Sequence, residues 1–428
     1  MGPIISVIAF IVLSYLGYKY VMGVERVVSV PFEKQSSMLL NGQEMFVVLL
    51  FATGLIQCGT LLSVRLIILE ILCTLLIFKI NRKVDMSFPL YLYIIYILWL
   101  IVGCFYSNYP IYGIRVIIKY IYPLLVTVVC MKAVDSDLVF FKAGLEARRI
   151  GLFAAIIGAV PYLEFFLLSG VMWYGTARAI NFISLFIFSL ALFAHLDFDK
   201  KKNLIYAIFF CIPCVIWVFR TSIMGTLLAL SMFCFFKYKI KSVPFIIGVF
   251  ILGVACVFML PSINKKMFHG KEVTLEDWQT GKVKKDQINN NGREFIWKVI
   301  DKKLYKGHEI KGSGTGSVQQ EMYEHSELYN GIKIPHSDFL QMRCDNGMIA
   351  LIIYILTMAS VIIHCLFVYS NKSHDLSIRI CAITAGCSLT GVFITLYSDN
   401  TVNYSMCTLS YPLGFYGMML GLLKSEEK

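Results

Sequence analysis

His336 is the residue of this chain best placed for chemistry. Pro335 fixes its approach, Asp338 follows two residues on, and an apolar run that can cross a membrane begins soon after Leu340. An unperturbed imidazole titrates at roughly 6.5, so a histidine there could accept a proton from a hydroxyl at neutral pH. Earlier in the same polar stretch, Asn289-Asn290-Asn291-Gly292 reads as a turn that starts a helix at Arg293. Phe295, Ile296, Val299, Ile300 and Leu304 mark one face of that helix, which is expected to run to about Tyr305. Arg293 and Trp297 are four apart and project from the same side. Arg115 and Lys119 lie one turn apart in an apolar run, Arg178 precedes another, and Arg220 stands at the end of a third. An arginine at membrane depth costs a few kcal/mol, so it is usually paired or placed for use. Several cations around one cavity would suit an anionic headgroup, above all a diphosphate, which arginine grips through paired hydrogen bonds. The alternative is snorkelling to the interface, or pairing with Glu164 or Asp399.

Other reactive-looking groups carry less. His269, His308 and His325 share the polar stretch, where a solvated histidine needs no role, and His195, His364 and His374 read as structural. His325, His336 and Glu327 fit no recognised metal-ligand spacing. Cys211 and Cys214 form a C-x-x-C inside an apolar run with no further Cys or His beside it, so neither metal nor redox chemistry is expected. Gly312-Ser-Gly-Thr-Gly316 superficially resembles a nucleotide loop, yet no strand precedes it and no Gly-Lys-Ser/Thr follows. It reads instead as a turn that lets the stretch fold back on the membrane surface.

The elements that must position these residues are membrane helices. The chain has 428 residues, 58% hydrophobic and 15% charged, with a mean hydropathy of +0.71. Soluble domains carry about a quarter charged residues, so this is read as an all-α polytopic membrane protein. Apolar runs of spanning length predict about twelve to thirteen transmembrane helices. They fall at about 4–22, 44–61, 64–80, 88–106, 111–131, 149–170, 179–196, 203–219, 222–237, 243–260, 347–369, 378–397 and 405–423. The first reads as a retained helix rather than a removed signal peptide. One membrane domain is expected, with N-terminal helices over 1–260, a large polar loop over 261–346 and C-terminal helices over 347–428.

The net charge of +12 could suggest a nucleic-acid partner, but its distribution argues against one. Lys79, Arg82 and Lys83 share one short loop, and Lys132, Lys142, Arg148 and Arg149 another. Lys200–Lys202, Lys237–Lys241 and Lys372–Arg379 follow, alternating with nearly uncharged loops at 107–110, 173–176 and 398–403. That is the positive-inside pattern, and it puts the 261–346 loop outside the cytoplasm and the C-terminus within. Thirteen cysteines lie almost entirely in apolar runs, where cysteine acts as a small hydrophobe.

Gly292-Arg293-Glu-Phe-Ile-Trp297, then Gly312-Ser-Gly-Thr-Gly316, then His336-Ser-Asp-Phe-Leu340 with Gly347 ahead of an apolar helix, together resemble the O-antigen ligase and polymerase superfamily. The resemblance implies a membrane-embedded, C-type glycosyltransferase using a polyprenyl-diphosphate-linked glycan as donor. It implies that Arg293 contacts the donor diphosphate and that His336 activates the acceptor hydroxyl, with Arg220, Arg178, Arg115, Lys119, Asp338 and Trp297 as further substrate-binding candidates. Two positions depart from the family pattern. Ser337 stands where asparagine is usual, and in Ser222-Ile-Met-Gly225 the usual arginine position holds Ile223, with Arg220 three residues earlier on the same face. The implied reaction is a single inverting displacement that needs neither cofactor nor metal, and the polar loop has no Asp-x-Asp.

The leading expectation is an O-antigen polymerase of the bacterial inner membrane that joins lipid-linked repeat units in lipopolysaccharide biosynthesis. Donor and acceptor would both be undecaprenyl-type diphosphate glycans, with membrane lipid and a chain-length regulator protein as partners. The nearest alternative is the ligase, which moves finished polymer onto a lipid A core. A lipid-linked oligosaccharide transporter or flippase would also want cations around a cavity, but not a large external loop bearing a histidine.

Overall fold

The computed structural model describes residues 27–30, 33–37, 42–55, 62–83, 85–159, 179–197, 199–216, 220–259, 261–268, 271–282, 293–329, 331–404 and 408–427. The expected first span at 4–22 lies outside them, as does Arg178. A small antiparallel hairpin, β1 (Val27–Val30) with β2 (Glu33–Ser37), pairs Val27 with Ser37. The rest is helical, as the composition requires.

The helices before the polar loop are, in chain order, α1 (Gly42–Leu55), α2 (Leu62–Lys79), α3 (Phe88–Phe105), α4 (Pro110–Ala133), α5 (Asp137–Ala159), α6 (Ile183–His195), α7 (Lys200–Ile216), α8 (Arg220–Tyr238) and α9 (Val243–Met259). The polar loop contributes α10 (Pro261–Met267), α11 (Leu275–Gln279), α12 (Arg293–Ile300) and α13 (Ser317–Glu324). Then come α14 (Asp338–Ser370), α15 (Leu376–Thr395) and α16 (Ser410–Glu426). Among the described residues, five helical stretches are long and apolar enough to cross a membrane: α3, α4, Arg220–Met259, α14 and α15. The Arg220–Met259 stretch breaks into α8 and α9 at Lys239, whose φ of 55° lies in the left-handed region. With α6 a shorter apolar helix beside them, this is a multi-pass membrane protein.

α15 is the centre of the bundle, packed against α16, α8, α14 and α6. Its most apolar window is 78% buried, against 6% for that of the Arg220–Met259 stretch, where Phe245, Ile247, Ile251 and Val254 of α9 face outward as lipid-facing side chains do. One expectation is corrected. Lys142, Arg148 and Arg149 lie in α5 rather than in a loop, because α5 starts at Asp137. Arg148 is buried there, its guanidinium donating to Asn203 Oδ1 at 2.5 Å and lying 4.1 Å from the centre of the Tyr206 ring.

The two ends of the bundle differ in chemistry. At one end, cations close the carbonyl-rich ends of helices, where the helix dipole favours them. Arg82 donates to the carbonyls of Val134 at 2.8 Å and Gly421 at 2.6 Å and to Ser425 Oγ at 2.7 Å. Lys132 reaches the carbonyls of Ile77 and Ile80, Lys237 that of Ala194, and Lys239 the Ser370 hydroxyl. His195, His364 and His374 are held by Tyr369, Tyr416 and Glu426. At the other end lie the polar loop and the start of α14.

Candidate functional site

Two pieces of the polar loop reach back into the bundle, and a small core of their own steadies them. Ile296 and Ile300 of α12 pack with Val318 and Met322 of α13, Tyr329, Leu340 and Cys344. Phe295, expected on the same face, is 58% exposed instead, and the helix switches to π geometry over Asp301–Tyr305. On the loop surface, burial alone would raise Glu321, but hydrogen bonds from Lys303 (2.5 Å) and Tyr329 (2.9 Å) prevail and hold it below the usual carboxylate range.

The first piece is the glycine turn. Thr315 sits between α3 and α14: its N–H donates to the Gly103 carbonyl at 3.2 Å and its hydroxyl to that of Leu100 at 2.6 Å, while Asn346 donates back to the hydroxyl at 2.6 Å. Asp345, 1% exposed, accepts the N–H of Gly316 at 3.1 Å and of Val318 at 2.8 Å, a carboxylate placed on the N-terminus of α13. Gly316 has φ 91°, and a Cβ on it would strike the Tyr112–Gly113 backbone. Gly347, with φ 74° and ψ −177°, kinks α14 where it meets the Ile310 carbonyl, and only glycine tolerates that backbone. The expectation of a turn folding the loop back is met, and the turn penetrates between helices as well.

The second piece is the histidine segment, which docks on residues 396–402, between α15 and α16. The Asp338 N–H donates to the Leu396 carbonyl at 2.8 Å. Its carboxylate, 2% exposed, accepts from Thr401 Oγ1 at 2.9 Å, the Val402 N–H at 3.1 Å and Asn400 Nδ2 at 3.4 Å. Ser337 caps α14 through Leu340 N–H at 3.3 Å. His336 is thereby held at φ 52°, a strained conformation costing about 1–3 kcal/mol that its neighbours impose. Its Nδ1 lies 3.4 Å from Asp399 Oδ1, with the two side chains 25% and 20% exposed. With Nδ1–H turned toward Asp399, Nε2 is left to accept a proton.

Arg293 and Trp297 do project together, as their spacing implies, and both grip this segment. Arg293 donates to the Ser398 carbonyl. Trp297 Nε1 donates to the Pro335 carbonyl at 2.7 Å, and its ring meets Tyr397 edge-on at 5.8 Å. Arg220 begins α8, reaches Met267 Sδ at 3.4 Å, and stands near enough to Arg293 for their charges to interact. His336, Arg293 and Trp297 are therefore brought together on the Tyr397–Asp399 segment, with the charge of Arg220 close enough to act on Arg293.

Arg115 and Lys119 part company. Arg115 is exposed, 5.3 Å from the centre of the Tyr112 ring. Lys119, one turn deeper, lines a small internal cavity with Asp338 and Asp345. Asp338 turns inward rather than toward the surface that His336 presents. The Tyr397–Thr401 segment, on which both Arg293 and His336 rest, shows in the sequence only as Asp399, a lone acid at the end of an apolar helix. Among the described residues, no group of three or more His, Cys, Asp or Glu is arranged to hold a metal ion.

An imidazole–carboxylate pair and two guanidinium groups thus gather at one end of an all-α membrane bundle. Residues 218–355 match the family model described as O-antigen ligase, and the match supports membership of the O-antigen ligase and polymerase superfamily. The matched segment contains Arg220, Arg293, the glycine turn and His336. Members of the family are glycosyltransferase-like enzymes of lipopolysaccharide synthesis that act on lipid-linked polysaccharide. No curated protein matches the chain.

Proposed function

We propose that the chain is a polysaccharide polymerase that joins polyprenyl-diphosphate-linked repeat units at the periplasmic face of the inner membrane. The observation that carries this reading is the anchoring of Arg293 and His336 on the consecutive residues Ser398 and Asp399, which brings a cation and a base together. In the reaction, His336 Nε2 takes the proton of the acceptor hydroxyl while that oxygen attacks the anomeric carbon of the donor. The bond from that carbon to the diphosphate oxygen breaks as the new glycosidic bond forms, with inversion. The polyprenyl diphosphate leaves as an anion, and Arg293 with Arg220 stabilises its growing charge. Two like charges held near each other favour an anion between them, and fixed donors at a departing anion give some of the largest contributions to catalysis. Asp399 keeps the imidazole in the accepting tautomer and steadies the imidazolium that forms. The loop end faces the periplasm, because the opposite end concentrates the cations that favour the cytoplasm.

The description of the matching family model favours a second reading, transfer of finished polymer onto a lipid A core. Deletion separates the two: one repeat unit per core marks a lost polymerase, and bare core with polymer left on its carrier marks a lost ligase. The direct test is complementation of a null strain of the same serotype with wild type, Arg293→Ala and His336→Ala, reading lipopolysaccharide ladders and membrane expression. A ladder restored by wild type and lost in both expressed variants supports the site. Normal ladders in both variants would remove it and bring the transporter reading forward.

A further inference from the structure

Lys119 lies beneath both docked pieces of the loop. The cavity it lines is about the size of one water molecule (10 Å³) and is walled by Tyr96 of α3, Lys119 of α4, and Asp338, Asp345 and Asn346 of α14. Asp338 acts electrostatically on Lys119, and Asp345 shares the cavity wall. The Tyr96 hydroxyl on the same wall is fully buried beside that of Tyr120, so this is a polar pocket inside an apolar bundle. Each carboxylate fastens a different piece of the site. Asp338 ties the histidine segment to Thr401 and Val402, and Asp345 ties the glycine turn to α14. A buried carboxylate is stabilised by a cation nearby, and among the described residues Lys119 is the cation lining this cavity beside the two aspartates.

We propose that Lys119 is a positioning residue: as the counter-charge of Asp338, with Asp345 across the same cavity, it locks the histidine segment and the glycine turn into one frame on α4. This rests on the transferase reading for its effect on catalysis but not for its effect on the fold. It also separates Lys119 from the cations that meet the donor diphosphate. The side chain is an anchor for the site's carboxylates rather than a contact for substrate.

The test uses purified full-length wild type, Lys119→Met, Lys119→Arg and Lys119→Met/Asp338→Asn. Amide hydrogen exchange is followed over residues 312–318 and 336–346, and donor KM and kcat are measured with lipid-linked glycan. Lys119→Met should exchange roughly a hundredfold faster in both segments together, as expected for a buried charge that loses its partner. Its kcat should fall while donor KM holds. Lys119→Arg should restore part of the protection, and the double variant should return exchange to within a few-fold of wild type by removing the uncompensated charge. If Lys119→Met alone fails to accumulate, accumulation of the double variant supports the proposal and failure of both overturns it. Unchanged exchange with a raised donor KM overturns it too, because Lys119 would then meet the substrate. Wild type without transferase activity, but with the same exchange pattern, would sink the proposed function and leave this inference standing.

Discussion

The glycine turn and the histidine segment are fastened to the bundle by the same device, a buried aspartate accepting backbone N–H groups from a distant stretch of chain. They differ in what is left over. At the turn, the named polar side chains Thr315, Asp345 and Asn346 are buried and hydrogen-bonded within the fold. At the histidine segment, Asp338 is consumed in the same way, but His336 and Asp399 remain partly exposed beside Arg293 and Arg220. One piece is architecture, and the other is architecture with reactive groups set on its rim. Short polar motifs of equal prominence in a sequence can serve these separate ends.

Substitutions should split along that line, and the largest effect is expected on the reactive side. His336→Ala should lower glycan transfer by about 10²- to 10⁴-fold, the range for losing a general base, with the detergent-solubilised protein melting near wild type. A matching fall in melting temperature would merge the two pieces into one structural class. Asp345→Ala should do the reverse. It strips the charged acceptor from two backbone donors, so stability should drop by about 3 kcal/mol, read by thermal or proteolytic unfolding. Asp399→Asn keeps the shape while removing the charge that steadies the imidazolium. Because the pair is long and partly exposed, about a tenfold loss of transfer is expected, well short of the full contribution of the base. Trp297→Phe removes the donor to Pro335 and should cost about 1 kcal/mol, with a small rise in exchange at 335–338.

The smallest effect is one of pH, and it sharpens the contrast from outside both pieces. Glu321 is held below its ordinary range in the folded loop by Lys303 and Tyr329, against burial that acts the other way. It therefore binds protons more readily unfolded than folded. Its stabilising contribution is present above the ordinary glutamate range and is lost as pH falls through the depressed folded value. Mild acid should loosen α13 in wild type, seen as faster exchange over 317–324, and Glu321→Gln should remove that dependence. An unchanged acid response in Glu321→Gln would assign the sensitivity to another group.

Much of this was legible beforehand because helix geometry is local. The spacing of Arg293 and Trp297 was enough to set them on one side, and Pro335-His336 ahead of an apolar run was enough to put the imidazole just before a long apolar helix. The partner segment was harder to see. Ser398 and Asn400 read as short-loop residues, and Asp399 as a lone acid for some arginine, because a bond spanning 63 residues leaves no periodic trace. Lys119 was paired with Arg115 on helical spacing alone. Spacing reports the face of a helix but not the depth at which neighbouring helices close over it, and one turn separates an exposed cation from a partly buried one lining an internal cavity. Phe295 failed for the opposite reason, since an amphipathic pattern cannot say that a short helix will bury only Ile296 and Ile300.

The docking of the histidine segment on residues 396–402 also has a consequence in time. A ribosome delivers His336 long before it delivers the residues that orient it, and α15 must be threaded through the bilayer in between. Until then the nascent chain has a base with no aligning carboxylate and an arginine with no carbonyl to seat it. The pairing of His336 with Asp399 and of Arg293 with Ser398 thus waits for the chain beyond Thr395, and on the proposed transferase reading a chain stalled there would be inactive.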